Sequence, residues 1–399
     1  MSSNAKPLPN QSITEVDREG ASVRVKWADE TSALFSRFWL RDNCPSAGDK
    51  RSGIRHFTLA DIDSDLSVSD LSLTSDGHLT VQWAPEDHIS QFDADWLYAN
   101  RPNRGPARPP KSWRAKDVAA VSLTDFSTVQ ADTEAHFALL SRVVEDGFAL
   151  VSNVPDQAWT EELISLFGII QENDFGGVFD IISEPNVWDL SQSDEALHVH
   201  TDDPYRYTPP GISVLHCVEA GSDGGGTSVL VDGFAVGEAL REVDPDGFEL
   251  LATVKVPLIR YRGTAVAQGD QVHLRAEAPI FTLDNDGNLS GVRFHERSMG
   301  ALDLMPELAD RYYPALIKLC RLMYDPSFEF RRQLQPGEAI VFDNVRVLHG
   351  RTAFTGSSTR RHMRLTKTDR DQFHSKFRLL AERFSNERDL PALISGVSI

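Results

Sequence analysis

The 399-residue chain has 41% hydrophobic and 25% charged residues, the balance of an ordinary globular protein, and it has no apolar run long enough to predict a membrane span. Its formal net charge of −19 disfavours nucleic acids and anionic membranes as partners. The three cysteines are widely spread, which predicts no disulfide framework and favours the reducing cytoplasm.

The first quarter of the chain is rich in predicted strands. Residues 22–27 alternate polar and apolar side chains, as a half-buried strand does. Residues 71–73 and 79–83 flank a Ser-Asp-Gly turn and predict a hairpin. We therefore expect a small β-rich N-terminal domain over residues 13–100, followed by a linker at 101–114, where proline and arginine are dense.

The rest of the chain, residues 115–399, predicts a second and larger domain. Residues 132–146 have the apolar spacing of a helix that ends at Gly147, and 148–151 read as a short buried strand. Another helix is predicted at 156–167. Many short strands separated by turns follow, with further helices at residues 235–243, 247–251, 314–323 and 369–388. Short strands with flanking helices indicate a mainly β fold, a jelly roll.

A candidate metal site combines His200 and Asp202 with the distant His349. Two imidazoles and one carboxylate form the facial set of non-haem Fe(II) oxygenases, which leaves the opposite face of the metal open. On a strand, residues at i and i+2 point the same way. The third ligand must come from another strand, and His349 follows the strand-like residues 339–342.

The open positions of such an iron suit a 2-oxoacid and O2. The far carboxylate of a 2-oxoacid needs a fixed cation, and arginine supplies one with a two-pronged hydrogen-bond geometry. Thr227, directly after three glycines, could add a hydroxyl, although a plain hairpin turn explains the glycines equally well. Four arginines follow His349 closely, and the spacing alone leaves open which is used: Arg351, Arg360, Arg361 and Arg364.

Four sequence blocks, in this order, resemble the γ-butyrobetaine dioxygenase family. They are residues 200–207, 211–217, 225–234 and 336–351, and residues 38–45 extend the resemblance into the N-terminal domain. The family belongs to the taurine dioxygenase-like Fe(II)/2-oxoglutarate oxygenases and acts on trimethylammonium compounds.

The resemblance implies a double-stranded β-helix with Fe(II) held by His200, Asp202 and His349. It implies that Arg361 holds 2-oxoglutarate, with Thr227 assisting. It also implies hydroxylation of a small cationic, trimethylammonium or N-methylated, metabolite with O2, together with release of succinate and CO2. Members of the family commonly form homodimers, so a homodimer is expected.

The resemblance implies an aromatic cage that binds the cation by cation–π attraction. In the family motif at 293–298, His295 and Glu296 stand where two amides are usual, and Arg297 could pair with a carboxylate or phosphonate. For each aromatic candidate, ordinary packing is the alternative interpretation. The further pocket candidates are Phe175, Phe179, Trp188, Asp189, Tyr205 and Tyr207.

The family's N-terminal domain usually holds a structural zinc ion with three cysteines and a histidine. Here Cys44 and His88 match that pattern, whereas Ser46 and Asp49 stand where the other thiolates would be. Structural zinc sites use four nitrogen or sulfur ligands, so we expect no tightly bound zinc.

Three functions remain open at this point. The leading one is an Fe(II)/2-oxoglutarate hydroxylase. A second keeps the cofactors but acts on a phosphonate, sulfonate or amino acid, with desaturation, cyclisation or bond cleavage as the outcome. The third is a non-catalytic sensor of 2-oxoglutarate or metal.

Overall fold

The structure is a computed structural model that describes residues 11–48, 54–102, 111–182, 193–221, 225–262, 271–354, 361–384 and 393. The chain divides into two compact units, residues 1–107 and 108–399, with the boundary inside the predicted linker. Most of that linker and two pocket candidates, Trp188 and Asp189, lie outside the described residues. Within the described ranges, no helix is long and apolar enough to cross a membrane.

The first unit contains two three-stranded antiparallel sheets and two short helices. The predicted strand at 22–27 and the predicted hairpin are both confirmed. In the strand at 22–27, polar and apolar side chains alternate, and Val23, Val25 and Trp27 are fully buried on one face. The elements are β1 (Ile13–Glu19), β2 (Ser22–Trp27), β3 (Ser32–Ser36), α1 (Arg37–Asp42), β4 (Ser67–Leu73), β5 (Leu79–Ala84), β6 (Ile89–Phe92) and α2 (Ala94–Ala99).

The second unit is built on a six-stranded and a four-stranded sheet. The strands are β7 (Leu123–Asp125), β8 (Phe148–Ser152), β9 (Val178–Ile182), β10 (Leu197–His200), β11 (Ile212–Glu219), β12 (Ser228–Asp232), β13 (Val256–Arg262), β14 (Val272–Ala278), β15 (Phe281–Leu283), β16 (Leu289–Val292), β17 (Glu329–Arg332), β18 (Ala339–Asp343), β19 (Val347–Arg351) and β20 (His362–Thr368). The sheet orders are β7-β8-β18-β11-β20-β9 and β10-β19-β12-β17, while β13-β14 and β15-β16 form separate hairpins. The pair β7-β8 is parallel, and the other pairs are antiparallel.

The two main sheets share one hydrophobic core. Phe148 and Phe342 of the larger sheet pack with Leu230 and Phe330 of the smaller one. The rings of Phe148 and Phe330 are 5.0 Å apart between centroids. Two mainly antiparallel sheets packed on a common core correspond to the jelly roll that the sequence predicts.

Helices cover the outer surfaces of this unit. They are α3 (Phe126–Ala131), α4 (Thr133–Asp146), α5 (Thr160–Ser165), α6 (Gly233–Val243), α7 (Pro245–Thr253), α8 (Pro306–Met323) and α9 (Arg370–Phe384). The predicted helix at 132–146 is confirmed as α4, which ends at Gly147 with φ +76°. The predicted helix at 156–167 is shorter, because a 3-10 turn precedes α5.

The sequence placed the start of α8 too late. The predicted helix began at Pro314, but α8 begins at Pro306 and passes through Pro314. Burial of Tyr312, Ala315 and Leu319 in the core shared with α6 and α7 stabilises the helix despite the hydrogen bond that proline cannot make.

Candidate active site

The two candidate histidine ligands lie opposite each other on neighbouring strands. In the antiparallel pair β10–β19, His200 is in register with His349. The i, i+2 argument placed Asp202 on the same strand as His200. This is wrong, because β10 ends at His200. Asn344 holds Asp202 in the following turn instead: its side-chain Oδ1 accepts from the Asp202 N–H at 2.6 Å, and its Nδ2 donates to the Asp202 carbonyl at 3.1 Å.

The three candidate ligands present their donor atoms to a common point. Asp202 Oδ1 lies 3.5 Å from Nε2 of His200 and 3.5 Å from Nε2 of His349. All three ligand atoms lie within 4.8 Å of one another. His200 Nδ1 is 2.8 Å from the carbonyl oxygen of His198, so Nδ1 carries the proton and the lone pair of Nε2 faces the centre. This donor set fits Fe(II).

The protonation of the ligands also fits metal binding. Burial lowers the pKa of His349 to about 3, so its ring is neutral at pH 7. Burial raises the pKa of Asp202, but the Lys367 ammonium and the neighbouring imidazoles outweigh it and hold that pKa well below its usual range. Metal ligands bind in their deprotonated forms, and both groups are already in them.

A cavity of about 410 Å³ opens beside these ligands. Of the sequence candidates, the structure brings Phe175, Phe179, Tyr205, His295 and Arg297 to its lining. It does not bring Tyr207 there, because that side chain points to solvent and is 84% exposed. The cavity is thus lined by two of the metal ligands, His200 and Asp202, and by aromatic rings.

Cationic side chains also line this cavity, and of these the sequence predicted only Arg297. They are Arg260, Arg262, Arg297 and Lys367. The guanidinium of Arg260 lies 3.9 Å from the centroid of the Phe175 ring and donates a 2.7 Å hydrogen bond to the Tyr205 hydroxyl. An internal cation therefore occupies an aromatic face that a cage would offer to a ligand.

The candidates for the 2-oxoglutarate carboxylate lie near one another. Arg361 is buried and lines a small pocket together with Gly226 and Gln333. A Cβ on Gly226, whose φ is +70°, would come within 3.1 Å of Arg361 Nε, so glycine permits this approach. Thr227 Oγ1 donates to Gln333 Oε1 at 2.8 Å, an amide that sequence reasoning missed.

Two of the other arginines are engaged elsewhere. Arg351 donates to the Glu195 carbonyl at 2.7 Å, and Arg364 lies within 3.3 Å of carboxylate oxygens of Glu161 and Asp180. Arg360 lies outside the described residues.

The zinc-type remnant is compact but incomplete. Cys44 Sγ lies 3.4 Å from His88 Nε2 and 3.0 Å from Ser46 Oγ, while Asp49 lies outside the described residues. Across the part of the chain that the structure describes, the only set of three or more histidine, cysteine or acidic side chains placed to hold a metal is His200, Asp202 and His349.

Comparison with known proteins agrees with this geometry. Residues 108–366 match the model of the taurine catabolism dioxygenase TauD, TfdA family, and residues 14–98 match the gamma-butyrobetaine hydroxylase-like N-terminal model. The chain is 31% identical to a gamma-butyrobetaine dioxygenase of Pseudomonas sp. (strain AK-1), covering 90% of this chain and 94% of that one. It is 29% identical to a trimethyllysine dioxygenase of Meyerozyma guilliermondii (92% and 96% covered) and 32% identical to the mitochondrial trimethyllysine dioxygenase of Bos taurus (81% and 77%).

These matches confirm the resemblance found in the sequence blocks. With a donor set that fits Fe(II) and with dioxygenase relatives along most of its length, the protein is an Fe(II)- and 2-oxoglutarate-dependent dioxygenase. The chain belongs to the taurine catabolism dioxygenase TauD, TfdA family.

Proposed function

We propose that this dioxygenase hydroxylates a small metabolite that carries a trimethylammonium or N-methylated group. The convergence of His200, Asp202 and His349, two of which (His200 and Asp202) line a cavity that is also lined by aromatic rings, is the observation that carries the proposal. The names of the relatives, gamma-butyrobetaine dioxygenase and trimethyllysine dioxygenase, support the substrate class.

The residues of the chain then have distinct tasks. Bound Fe(II) and 2-oxoglutarate supply the oxidation of a C–H bond with O2 and release succinate and CO2. Arg361 and Thr227 hold the far carboxylate of 2-oxoglutarate. Phe175 and Phe179, whose rings meet edge to face at 5.0 Å, form an apolar wall that orients the substrate and excludes water.

The test measures succinate release by purified protein with Fe(II), 2-oxoglutarate and ascorbate. The panel contains γ-butyrobetaine, trimethyllysine, taurine and a trimethylammonium alkylphosphonate. We expect stimulation by a trimethylammonium compound and its loss in His200→Ala and Asp202→Ala, with His56→Ala, an exposed histidine, as the matched control. Unchanged turnover in either ligand variant would overturn the assignment of the site. Stimulation by none of the panel would mean a different substrate, and the absence of any oxygen consumption in wild type would favour a sensor.

The cations in the cavity favour a second candidate function. Arg260 already occupies the face of Phe175, so a quaternary ammonium must compete with a guanidinium there, whereas an acidic group would be attracted. The second candidate is therefore the same cofactor chemistry on a phosphonate, sulfonate or amino acid. Stimulation by taurine, the one acid of the panel without a trimethylammonium group, would favour it, and product masses would separate hydroxylation from desaturation, cyclisation or cleavage.

We further propose that the enzyme is a cytoplasmic homodimer with residues 13–100 as an independent domain. The cysteines, none of which is in a disulfide, support a reducing compartment, although trimethyllysine dioxygenases of four mammals among the relatives are named as mitochondrial. Light scattering after size-exclusion chromatography tests the dimer, and cell fractionation tests the compartment. Expression of residues 1–107 alone tests the domain.

A further inference from the structure

The two oxygens of the Asp202 carboxylate have different partners. Oδ1 faces Nε2 of both His200 and His349 at 3.5 Å each. Oδ2 lies 3.1 Å from Nζ of Lys367 in β20. Lys367 is buried and lines the cavity, so a cation is fixed directly against the carboxylate of the metal site.

Asp203 completes the surroundings of this lysine. Its backbone has φ +49°, a conformation uncommon for residues other than glycine. Asp202 and Asp203, two successive aspartates, both face the Lys367 ammonium. Asp203 Oδ2 lies 3.1 Å from Lys367 Nζ, and Asp203 Oδ1 accepts a 2.6 Å hydrogen bond from the Tyr205 hydroxyl. Asp203 is thereby a counter-ion for Lys367, and Asp202 is the carboxylate left for the metal.

We propose that Lys367 is a positioning residue that restricts Asp202 to binding the metal through one oxygen. A carboxylate can bind a metal through one oxygen or two, and binding through both would consume a position that 2-oxoglutarate or O2 needs. The Lys367 ammonium engages Oδ2 and leaves Oδ1 alone to face the centre. This inference rests on the iron chemistry of the proposed function.

Stability alone does not account for a lysine at this place. A buried ammonium loses its hydration, and the gain from its ion pairs often does no more than offset that loss. A cation beside a metal site also repels the metal. Partners that orient a metal ligand, by contrast, commonly change metal affinity or activity by about 10- to 100-fold when they are removed.

The test compares Asp203→Asn, which keeps the Lys367–Asp202 contact, with the double variant Lys367→Met/Asp203→Asn. The double variant removes one positive and one negative charge, so the net charge around the site stays the same. The readouts are the visible spectrum of the Co(II)-loaded protein, which reports coordination number, and the dissociation constant of 2-oxoglutarate from that complex. Thermal unfolding checks that each variant is folded.

We expect Asp203→Asn to keep the wild-type Co(II) spectrum. We expect the double variant to show an altered Co(II) spectrum and about tenfold weaker 2-oxoglutarate binding. A double variant with the wild-type spectrum and affinity would overturn the inference, because Lys367 would then only balance charge. A wild-type protein that binds no Co(II) would overturn the proposed function and this inference with it.

Lys367→Arg provides a second test if the double variant does not fold. It keeps the charge, but a planar guanidinium cannot reproduce the position of the ammonium between both carboxylates. An altered Co(II) spectrum supports the positioning role, and an unchanged one contradicts it.

Discussion

The imidazole of His295 stacks on that of the metal-site residue His200, with ring centroids 4.4 Å apart and an interplanar angle of 29°. Burial, followed by the neighbouring imidazole of His200, lowers the pKa of His295 to about 2. The ring is therefore neutral and can lie against a metal-binding histidine without adding a repelling charge. His295 thus packs against His200 from outside the donor set.

Removal of this ring should weaken metal binding. We expect His295→Ala to raise the dissociation constant of Fe(II) about tenfold, because His200 loses the neighbour that limits its rotation. His295→Phe is the matched control and should stay close to wild type, since it retains a flat ring. Calorimetric titration with Fe(II) under anaerobic conditions measures the dissociation constant of both variants. Equal affinity in His295→Ala and wild type would contradict the prediction.

The sequence predicted those features of the site that depend on local pattern. His200 and His349 followed from residue type and from neighbouring strand-like segments, and the pairing of β10 with β19 brings them together. Lys367 and Asn344 were missed, because their roles depend on contacts with Asp202 from 165 and 142 residues away along the chain (367 − 202 and 344 − 202). Such contacts leave no periodic signal.

The substrate side was harder to predict for a related reason. Aromatic residues in a sequence suggest a cage, but a cage requires free ring faces. In the structure Arg260, from the β13 strand, covers Phe175. Tyr207, two residues beyond the cavity residue Tyr205, is turned to solvent. Side-chain direction after a turn depends on tertiary contacts that composition does not encode.

Arg361 should govern the affinity for 2-oxoglutarate. We expect Arg361→Met to raise the KM for 2-oxoglutarate by roughly 10- to 100-fold, because a charge-assisted hydrogen-bonded pair is lost. Arg364→Met is the matched control: that arginine faces Glu161 and Asp180, and its loss should leave this KM unchanged. Steady-state succinate assays at varied 2-oxoglutarate provide the measurement. If Arg364→Met raised the KM for 2-oxoglutarate more than Arg361→Met does, Arg361 would not be the residue that binds 2-oxoglutarate.

The buried pair of Arg346 and Asp232 should matter for stability. Arg346 Nη2 lies 2.8 Å from Asp232 Oδ2, and both side chains are almost completely buried. We expect Arg346→Met to lower the free energy of unfolding by about 3–5 kcal/mol, because Asp232 is left charged and unpaired. The double variant Arg346→Met/Asp232→Asn should lose less free energy of unfolding than Arg346→Met alone. Urea denaturation measures the differences, and a double variant as unstable as the sum of both single ones would count against this explanation.

Stability should also fall in mild acid because of His216. Its Nδ1 lies 2.9 Å from Thr160 Oγ1, whose own hydroxyl donates to the Gln157 carbonyl, so Nδ1 carries the proton. The buried Nε2 has no hydrogen-bond partner among the described residues, so a second proton would lack an acceptor there. Burial, and then the charge of Arg364, lower the pKa of His216 to about 4.

The sign of the effect follows from the lowered pKa. The unfolded chain binds a proton at His216 near its ordinary pKa of about 6.5, whereas the folded chain does so only near 4. The unfolded state therefore binds more protons between these values, and stability is lost as the pH falls through this window. At about pH 5 the loss from this one group is about 2 kcal/mol. Urea denaturation at about pH 7.5 and 5 gives the free energy of unfolding at both values. The loss between them should be smaller in His216→Asn than in wild type. An equal loss in the variant would mean that other groups cause the pH dependence.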